Sequence, residues 1–143
     1  MKLATIGYEQ ATQSSVIDRL KTAGIEVVID VRAVASSRRA GFSKTLLSAS
    51  LNEAGIGYVH LRQLGTPKPG RDAARKGRVA EMHAIFRAHM VDSAAQLELA
   101  KATEIARDNK AALLCYEADA GGCHRTILAG WICDALGCEI ENL

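Results

Sequence analysis

The sequence lacks several patterns by which common classes of protein are recognised. No apolar run approaches the roughly 18 residues that a membrane-spanning helix needs, so we expect no membrane association. There is no Gly-x-Gly-x-x-Gly after a strand and no Walker loop, which argues against a standard dinucleotide or nucleoside triphosphate site. The first ten residues hold too short an apolar run for a signal peptide, and we therefore expect a cytoplasmic protein.

The four cysteines form no Cys-x-x-Cys pair. A chain of 143 residues can bury a hydrophobic core without disulfides, and a reducing compartment keeps cysteines in the thiol form. We therefore expect Cys133 and Cys138 to be buried as small hydrophobic residues. A zinc site made of Cys115, Cys123, His124 and Cys133 matches no standard spacing, so we predict neither a metal nor another cofactor.

The charged residues are unevenly distributed, although the net charge is only +2. Residues 32–87 contain eleven lysines and arginines against three acidic residues, which gives this stretch a net charge of +8. A stretch with such an excess of positive charge attracts phosphates, nucleotides or nucleic acid. It is equally compatible with an ordinary solvated surface. The hydrophobic fraction of 48% and the charged fraction of 24% are typical of a globular domain, here expected as a single domain over 1–143.

Strand and helix patterns alternate along most of the chain. Strands are predicted over 3–8, 25–31, 56–61, 111–117 and 138–142. Helices are predicted over 14–22, 44–54, 78–90, 94–108 and 124–136, with 62–76 as an irregular loop. The expected helix caps are Ser14 or Ser15, Ser43, and a capping box from Ser93 to Gln96. We therefore expect one three-layer α/β domain, with a mostly parallel sheet of about five strands flanked by helices.

Ligands of parallel sheets bind beyond the carboxyl ends of the strands. In this chain, the residues that follow the predicted strands are rich in ionisable groups, whereas the strands themselves are apolar. The residues that this rule gathers at one edge include Tyr8, Asp30, Arg32, His60, Cys115 and Glu117. We therefore predict a functional site at this edge of the sheet.

Cys123, His124 and Arg125 directly precede the last predicted helix. The start of a helix lowers the pKa of a thiol and attracts anions, because its N–H groups are free. One interpretation makes Cys123 a nucleophile, His124 a proton carrier and Arg125 an anion clamp. The other makes the helix start and Arg125 a phosphate site, with Cys123 as a small capping residue.

Asp30 and Arg32 are two residues apart on a strand, so their side chains point to the same face. Asp30 can fix the guanidinium of Arg32, or each can pair with a group from the next loop. A purely structural ion pair is an equally good interpretation. Arg38 and Arg39 suit a phosphate-rich partner, but they also suit an exposed solubilising surface.

Glu117 and Asp119 are candidates for acid–base chemistry or for binding a divalent cation. His60 ends the third predicted strand and could join them, although a histidine in this position is more often structural. The predicted catalytic residues are thus Cys123, His124, Glu117 and Asp30. The predicted anion-binding residues are Arg32, Arg38, Arg39 and Arg125, and the other predicted pocket residues are Tyr8, His60, Cys115 and Asp119.

Four segments together resemble one known family, in order and over nearly the whole chain. They are TIGYE, VIDVRAVASSRRAGFSK, AGIGYVHLRQLG and LLCYEADAGGCHRTILAGW. They resemble the family known as domain of unknown function 488, which implies an α/β sandwich and a bacterial or archaeal cytoplasmic protein. The resemblance implies no established reaction. The stretch TPKPGRDAARKGR is shorter than the insert that family members often carry at this place. The resemblance therefore does not imply that this stretch contacts a substrate.

The segment VIDVR also resembles a rhodanese strand, but here an arginine follows Cys123 after two residues rather than six, so we take that likeness as architectural only.

Three functional hypotheses follow from these patterns. The first is an enzyme that acts on a phosphate-bearing substrate, such as a nucleotide or nucleic acid, and uses Cys123 or Glu117. The second is a non-catalytic protein that binds nucleic acid or nucleotides through its basic segment. The third is a thiol-based regulator that responds to redox conditions or to a metal.

Overall fold

The chain folds into five strands and six helices. The computed structural model describes residues 1–143. The strands are β1 (Lys2–Gly7), β2 (Val27–Asp30), β3 (Gly57–His60), β4 (Ala111–Cys115) and β5 (Glu139–Asn142). The helices are α1 (Gln13–Thr22), α2 (Lys44–Glu53), α3 (Lys68–Arg75), α4 (Val79–His89), α5 (Ser93–Asp108) and α6 (Arg125–Leu136). None of these helices combines the length and hydrophobicity that crossing a bilayer requires.

All five strands run parallel in a single sheet of order β3-β2-β4-β1-β5. The register places the carboxyl ends of the central strands side by side. Gly7 pairs with Cys115, and Asp30 pairs with both His60 and Leu114. The sheet therefore gathers the loops after β1, β2 and β4 at one edge.

The two faces of the sheet are covered by different helices, which confirms the three-layer α/β architecture. On one face, Val16 and Leu20 of α1 and Leu47 and Leu51 of α2 are fully buried in one hydrophobic cluster. On the other face, residues of α4, α5 and α6 form a second cluster, which includes Phe86. Because the chain leaves β4 towards the opposite face from α1 and α2, a crevice opens beside the end of β4.

Two helix caps differ from the predicted ones, and a third is the predicted residue without a capping bond. Helix α1 is capped by Thr12, whose hydroxyl accepts a hydrogen bond from the backbone N–H of Ser15 at 3.1 Å. Helix α5 has Asp92 rather than Ser93 at its cap, and Gln96 donates to the carbonyl of Met90 instead of closing a capping box. Ser43 does precede α2, but its side chain makes no capping bond. The predicted helices are confirmed, whereas their capping bonds are mostly different.

The prediction that 62–76 is irregular is wrong, because this stretch contains the helix α3. Pro69 lies in the first turn of α3, where its missing N–H has no helical partner to lose. The carboxylate of Asp72 then accepts hydrogen bonds from Lys68 at 3.1 Å and from Arg75 at 2.6 Å. The spacing of these pairs, three and four residues apart, supports a helix.

The expectation that Cys133 and Cys138 remain separate small hydrophobic residues is also wrong. The two residues form a disulfide, with their Cα atoms 4.6 Å apart. Cys133 lies in the last turns of α6, and Gly137 ends that helix in the left-handed conformation with φ of 68°. This turn brings Cys138 back towards Cys133, and the amide of Cys138 donates to the Cys133 carbonyl at 3.1 Å.

We predict that Gly7→Ala destabilises the fold. A Cβ atom on Gly7 would lie 1.7 Å from the carbonyl oxygen of Glu117, so the backbone of β1 or of the 117 loop has to move. Overpacking of this kind costs about 1–3 kcal/mol, and a backbone clash belongs at the upper end. Urea denaturation of both proteins measures the difference.

The matched control is Gly130→Ala in α6, where nothing lies within 4 Å of the added Cβ. Alanine has a higher helix propensity than glycine by about 1 kcal/mol, so this variant should be as stable as the wild type or more stable. Equal stability of the Gly7→Ala variant and the wild type would contradict the close approach of β1 and the 117 loop.

Candidate functional site

A cavity opens beyond the carboxyl ends of β1, β2 and β4. Its volume is about 380 Å³, which is within the range of small-molecule sites. The strand ends and the loops after them contribute Tyr8, Arg32, Cys115, Tyr116, Glu117 and His124 to its lining. The opposite wall comes from the segment 66–82 and includes Thr66, Arg71, Arg75 and Met82. Residues that lie far apart in the sequence therefore face one shared space.

Arg32 forms a buried ion pair with Asp30. Its Nε and Nη2 donate to the two carboxylate oxygens of Asp30 at 2.9 and 2.7 Å. Its Nη1 donates to the hydroxyl of Tyr8 at 3.0 Å and to the carbonyl of Phe42 at 2.7 Å. The hydroxyl of Tyr58 donates to the same carboxylate at 2.5 Å. Four of the five guanidinium N–H groups thus bind within the protein, which is the structural ion pair that the sequence left open.

The ionisation of these groups follows from their burial and mutual contact. Burial by itself lowers the pKa of Arg32. The hydrogen bonds and the negative charge of Asp30 outweigh this effect and raise the pKa above its usual value, so the guanidinium stays charged. Burial raises the pKa of Tyr58, and the negative charge of Asp30 adds to this effect. Tyr58 therefore remains a neutral hydrogen-bond donor to the carboxylate.

Cys115, Cys123 and His124 form a buried cluster next to the cavity. Their two sulfur atoms and one ring nitrogen all lie within 4.8 Å of one another. The Nδ1 atom of His124 is 3.8 Å from Sγ of Cys115 and 3.7 Å from Sγ of Cys123. Cys115 and His124 line the cavity, whereas Cys123 is only 1% exposed and lies behind them.

The imidazole of His124 has a fixed orientation. Its Nε2 lies 2.9 Å from the carbonyl oxygen of Val31. Because a carbonyl oxygen only accepts hydrogen bonds, Nε2 carries the proton and Nδ1 faces the two sulfur atoms. The ring also packs against Phe86, with the ring centroids 5.0 Å apart.

The two thiols of the cluster have opposite pKa shifts. The hydrogen bond to Cys123 and burial raise the pKa of Cys115 well above its usual value. Burial alone would raise the pKa of Cys123 too, but the hydrogen bond from Cys115 and the charges of His124 and Arg125 outweigh it and lower this pKa. Burial alone would lower the pKa of His124, but the negative charge of Cys123 outweighs burial, so the pKa of His124 is raised. The negative charge of the cluster therefore resides on Cys123.

Glu117 lies beside this cluster, with Oε2 3.4 Å from the Sγ of Cys115. Burial and the neighbouring charge of Cys123 raise its pKa to about 7. It is the only carboxylate residue among those that line the cavity. A carboxyl group with this pKa that lines a cavity is chemically able to give or take a proton near neutral pH.

Arg125 is turned away from the cavity and is only 1% exposed. Its Nη1 donates to the carbonyl of Glu117 at 2.5 Å, and its Nη2 donates to the carbonyl of Ala118 at 3.3 Å. The structure therefore shows Arg125 holding the backbone of the 117 loop. Cys123 is not the cap of α6 either, since that position belongs to His124.

Five further residues predicted from the sequence do not line the cavity. Asp30, predicted as catalytic, is fully buried in its ion pair with Arg32. Arg38 is exposed, and Arg39 donates to the carbonyl of Ala11 at 2.6 Å. The Nε2 of His60 lies 2.7 Å from the carbonyl oxygen of Arg32, which is the structural use expected for a histidine at a strand end. Asp119 accepts a hydrogen bond from the amide of Gly121 at 3.0 Å and shapes the loop before α6.

Sequence reasoning missed the contribution of α3 to the cavity. Arg71 and Arg75 are four residues apart on this helix, and both line the cavity. The Nη1 of Arg71 donates to the carbonyl of Thr66 at 2.9 Å, which fixes the side chain while leaving other N–H groups free. The spacing of the two arginines could have revealed them, had the segment been recognised as a helix.

We predict that Asp30→Ala is strongly destabilising. Loss of the carboxylate leaves the buried guanidinium of Arg32 without its partner, a change that costs about 3–5 kcal/mol. The control is Glu81→Ala, which removes an exposed ion pair with Arg78 at 3.7 Å and should leave stability unchanged. Urea denaturation measures both variants, and similar stability losses for the two would contradict the importance of the buried pair.

The chain was compared with protein families, with curated proteins and with solved structures. No curated protein and no solved structure matches it. The model of the family described as "Domain of unknown function DUF488" matches residues 12–132, a span that contains both the Asp30–Arg32 pair and the cluster of Cys115, Cys123 and His124. The chain therefore belongs to the DUF488 family.

Proposed function

We propose that this DUF488 protein is an enzyme that acts on a small phosphate-bearing molecule bound in the cavity. One observation carries the proposal. Three arginines, a carboxylate, a thiol and an imidazole line the same cavity, whose volume of about 380 Å³ suits a small molecule. The apolar part of the lining, which includes Val34 and Met82, accommodates the rest of the substrate.

The phosphate is bound by Arg71 and Arg75, which form one wall of the cavity. The guanidinium of Arg71 is held by the carbonyl of Thr66 and keeps free N–H groups for an anion. Arg75 shares Asp72 with Lys68, so the cavity-facing helix α3 retains an excess of positive charge. Arg32 stabilises the opposite wall, because its own hydrogen bonds are mostly used within the protein.

The chemical step takes place at the opposite wall, where Cys115, His124 and Glu117 meet. Glu117 transfers protons, since no other carboxylate lines the cavity. Cys115 faces the substrate directly, and the more deeply buried Cys123 acts through its contacts with Cys115 and His124. This assignment shifts the substrate-facing thiol from Cys123, as the sequence suggested, to Cys115.

Non-catalytic binding of nucleic acid is the competing hypothesis. It relies on the net charge of +8 over 32–87, and many of these basic residues are exposed. However, a cavity that brings a thiol, an imidazole and a carboxylate together has no role in binding a phosphate backbone. Binding of an oligonucleotide whose affinity falls steeply with salt and is unaffected by cavity variants would favour this alternative.

We predict that the double variant Arg71→Ala, Arg75→Ala weakens binding of inorganic phosphate and of a nucleoside monophosphate. Charge-assisted hydrogen bonds contribute about 1.5–3 kcal/mol each, so affinity should fall by roughly tenfold or more. Isothermal titration calorimetry measures the dissociation constants. The control Arg62→Ala removes an exposed arginine of the same basic segment that does not line the cavity.

Wild-type protein that binds neither phosphate nor the nucleoside monophosphate would contradict the anion site. Equal weakening by the Arg62→Ala control would show that only the general basic field acts. In that case the residues of α3 would have no specific role.

We predict that Glu117→Gln abolishes turnover and keeps the anion affinity. Loss of a proton-transfer group lowers rates by about 10²–10⁴-fold. Wild-type protein is incubated with a panel of nucleoside monophosphates and sugar phosphates, and consumption is followed by mass spectrometry. Glu104→Gln, on the exposed side of α5, is the matched control and should react like the wild type. A panel that stays unchanged with the wild type, or equal turnover by Glu117→Gln, would contradict the proposal.

A further inference from the structure

Cys115, Cys123 and His124 bring three metal-ligating atoms together from two elements. Cys115 ends β4, whereas Cys123 and His124 precede α6. The Nδ1 of His124 lies 3.8 and 3.7 Å from the two sulfur atoms. In a tetrahedral zinc site, the ordinary Zn–S and Zn–N distances place a sulfur and a nitrogen ligand about 3.6 Å apart. The two sulfur–nitrogen distances therefore need to change by only a few tenths of an ångström. The two sulfur atoms, which lie within 4.8 Å of each other, have to approach to the roughly 3.8 Å of such a site.

The hydrogen bond of His124 to the backbone supplies a second, independent observation. Its Nε2 donates to the carbonyl of Val31 at 2.9 Å. Metal-binding histidines usually donate their other ring N–H in this way, which fixes the ring and directs the free nitrogen at the ion. Since Val31 directly follows β2, the end of a central strand orients this ligand.

The donor types select the metal. Two thiolates and an imidazole suit zinc, whereas magnesium and calcium require oxygen ligands. Cys133, the fourth ligand considered from the sequence, is joined to Cys138 and is not part of the cluster. Three protein ligands leave one position of a tetrahedral ion open, as in catalytic rather than structural zinc sites.

We propose that Cys115, Cys123 and His124 bind one zinc ion whose open position faces the cavity. The direction follows from the lining, because Cys115, His124 and Glu117 all contribute to it. Any proton on the two thiols passes to the solvent when the ion binds. A zinc ion in this position supplies a Lewis acid and an activated water, next to the carboxylate of Glu117. This catalytic role depends on the proposed function, but the metal site itself does not.

Cobalt(II) titration of the wild-type protein, stripped with a chelator and kept reduced, tests the site. We expect one equivalent to bind, with sulfur-to-cobalt charge-transfer absorption in the near ultraviolet and the intense visible bands of tetrahedral cobalt. One equivalent of zinc should displace both signals. Absence of the charge-transfer band in the wild type overturns the proposal without the need for any variant.

Variants then assign the ligands. Cys115→Ser and Cys123→Ser should each weaken cobalt binding by at least about tenfold and reduce the charge-transfer band. The control Cys133→Ser, Cys138→Ser should bind cobalt like the wild type. An equal loss in this control, or unchanged spectra in both single variants, overturns the assignment. Glu117→Gln should still bind one equivalent of cobalt, because Glu117 is not one of the three ligands. Loss of the ion in this variant would show that Glu117 fills the fourth position, and would overturn the proposal that this position is open.

The metal site and the proposed function fail in different measurements. Phosphate binding and substrate consumption by a protein without the cobalt signal would refute the zinc site alone. A full cobalt signal in a protein that binds no phosphate would refute the enzyme hypothesis and leave the metal site intact.

Discussion

The buried end of β2 is the constraint on which the site depends. Asp30 fixes the guanidinium of Arg32, the carbonyl of Val31 holds the ring of His124, and the carbonyl of Arg32 holds His60. Three consecutive residues thus orient side chains that come from the loop after β2, from β3 and from the start of α6. Since Asp30 is fully buried, its charge requires the guanidinium and the hydroxyl of Tyr58 as partners. The loops after neighbouring strands consequently have little freedom to move apart.

Much of this architecture could be predicted from the pattern of the sequence. The apolar runs before Asp30 and Cys115 predict buried strands, and the helices between them predict a parallel sheet. The carboxyl ends of such strands share one edge, which is why Tyr8, Arg32, Cys115 and Glu117 were expected together and line one cavity. These inferences depend only on local periodicity and on a general rule of topology.

The partners of charged side chains were harder to predict. Arg125 looked like an anion clamp in the sequence, yet its N–H groups bind two backbone carbonyls of a neighbouring loop. Such a role depends on how close the loop passes, and no sequence pattern encodes that distance. Likewise, two prolines and two glycines predict a loop over 62–76, although Pro69 is tolerated in the first turn of a helix. The cavity wall carrying Arg71 and Arg75 was missed for this reason.

The same limit explains why the sequence pattern predicts no metal site. Standard zinc motifs place two ligands within one short turn, whereas the two thiols here are eight residues apart. They meet because β4 ends directly beside the start of α6, and because the loop between them folds back. The tertiary structure, rather than the spacing, creates the cluster.

The loop that carries Glu117 is anchored almost entirely through its backbone. Gly7 lies close against the carbonyl of Glu117, and Arg125 donates a hydrogen bond to the same carbonyl. The amide of Ala118 donates to Glu9 at 3.1 Å. Because main-chain groups hold the loop, the carboxylate of Glu117 and the thiol of Cys115 remain available to the cavity. In His124, one ring serves both purposes. Its Nε2 anchors the side chain to the carbonyl of Val31, and its Nδ1 faces the sulfur atoms of the cluster. Stability and chemistry at this edge therefore rely on different atoms, so side chains such as Glu117 can be substituted to test function without removing the contacts that hold the site in place.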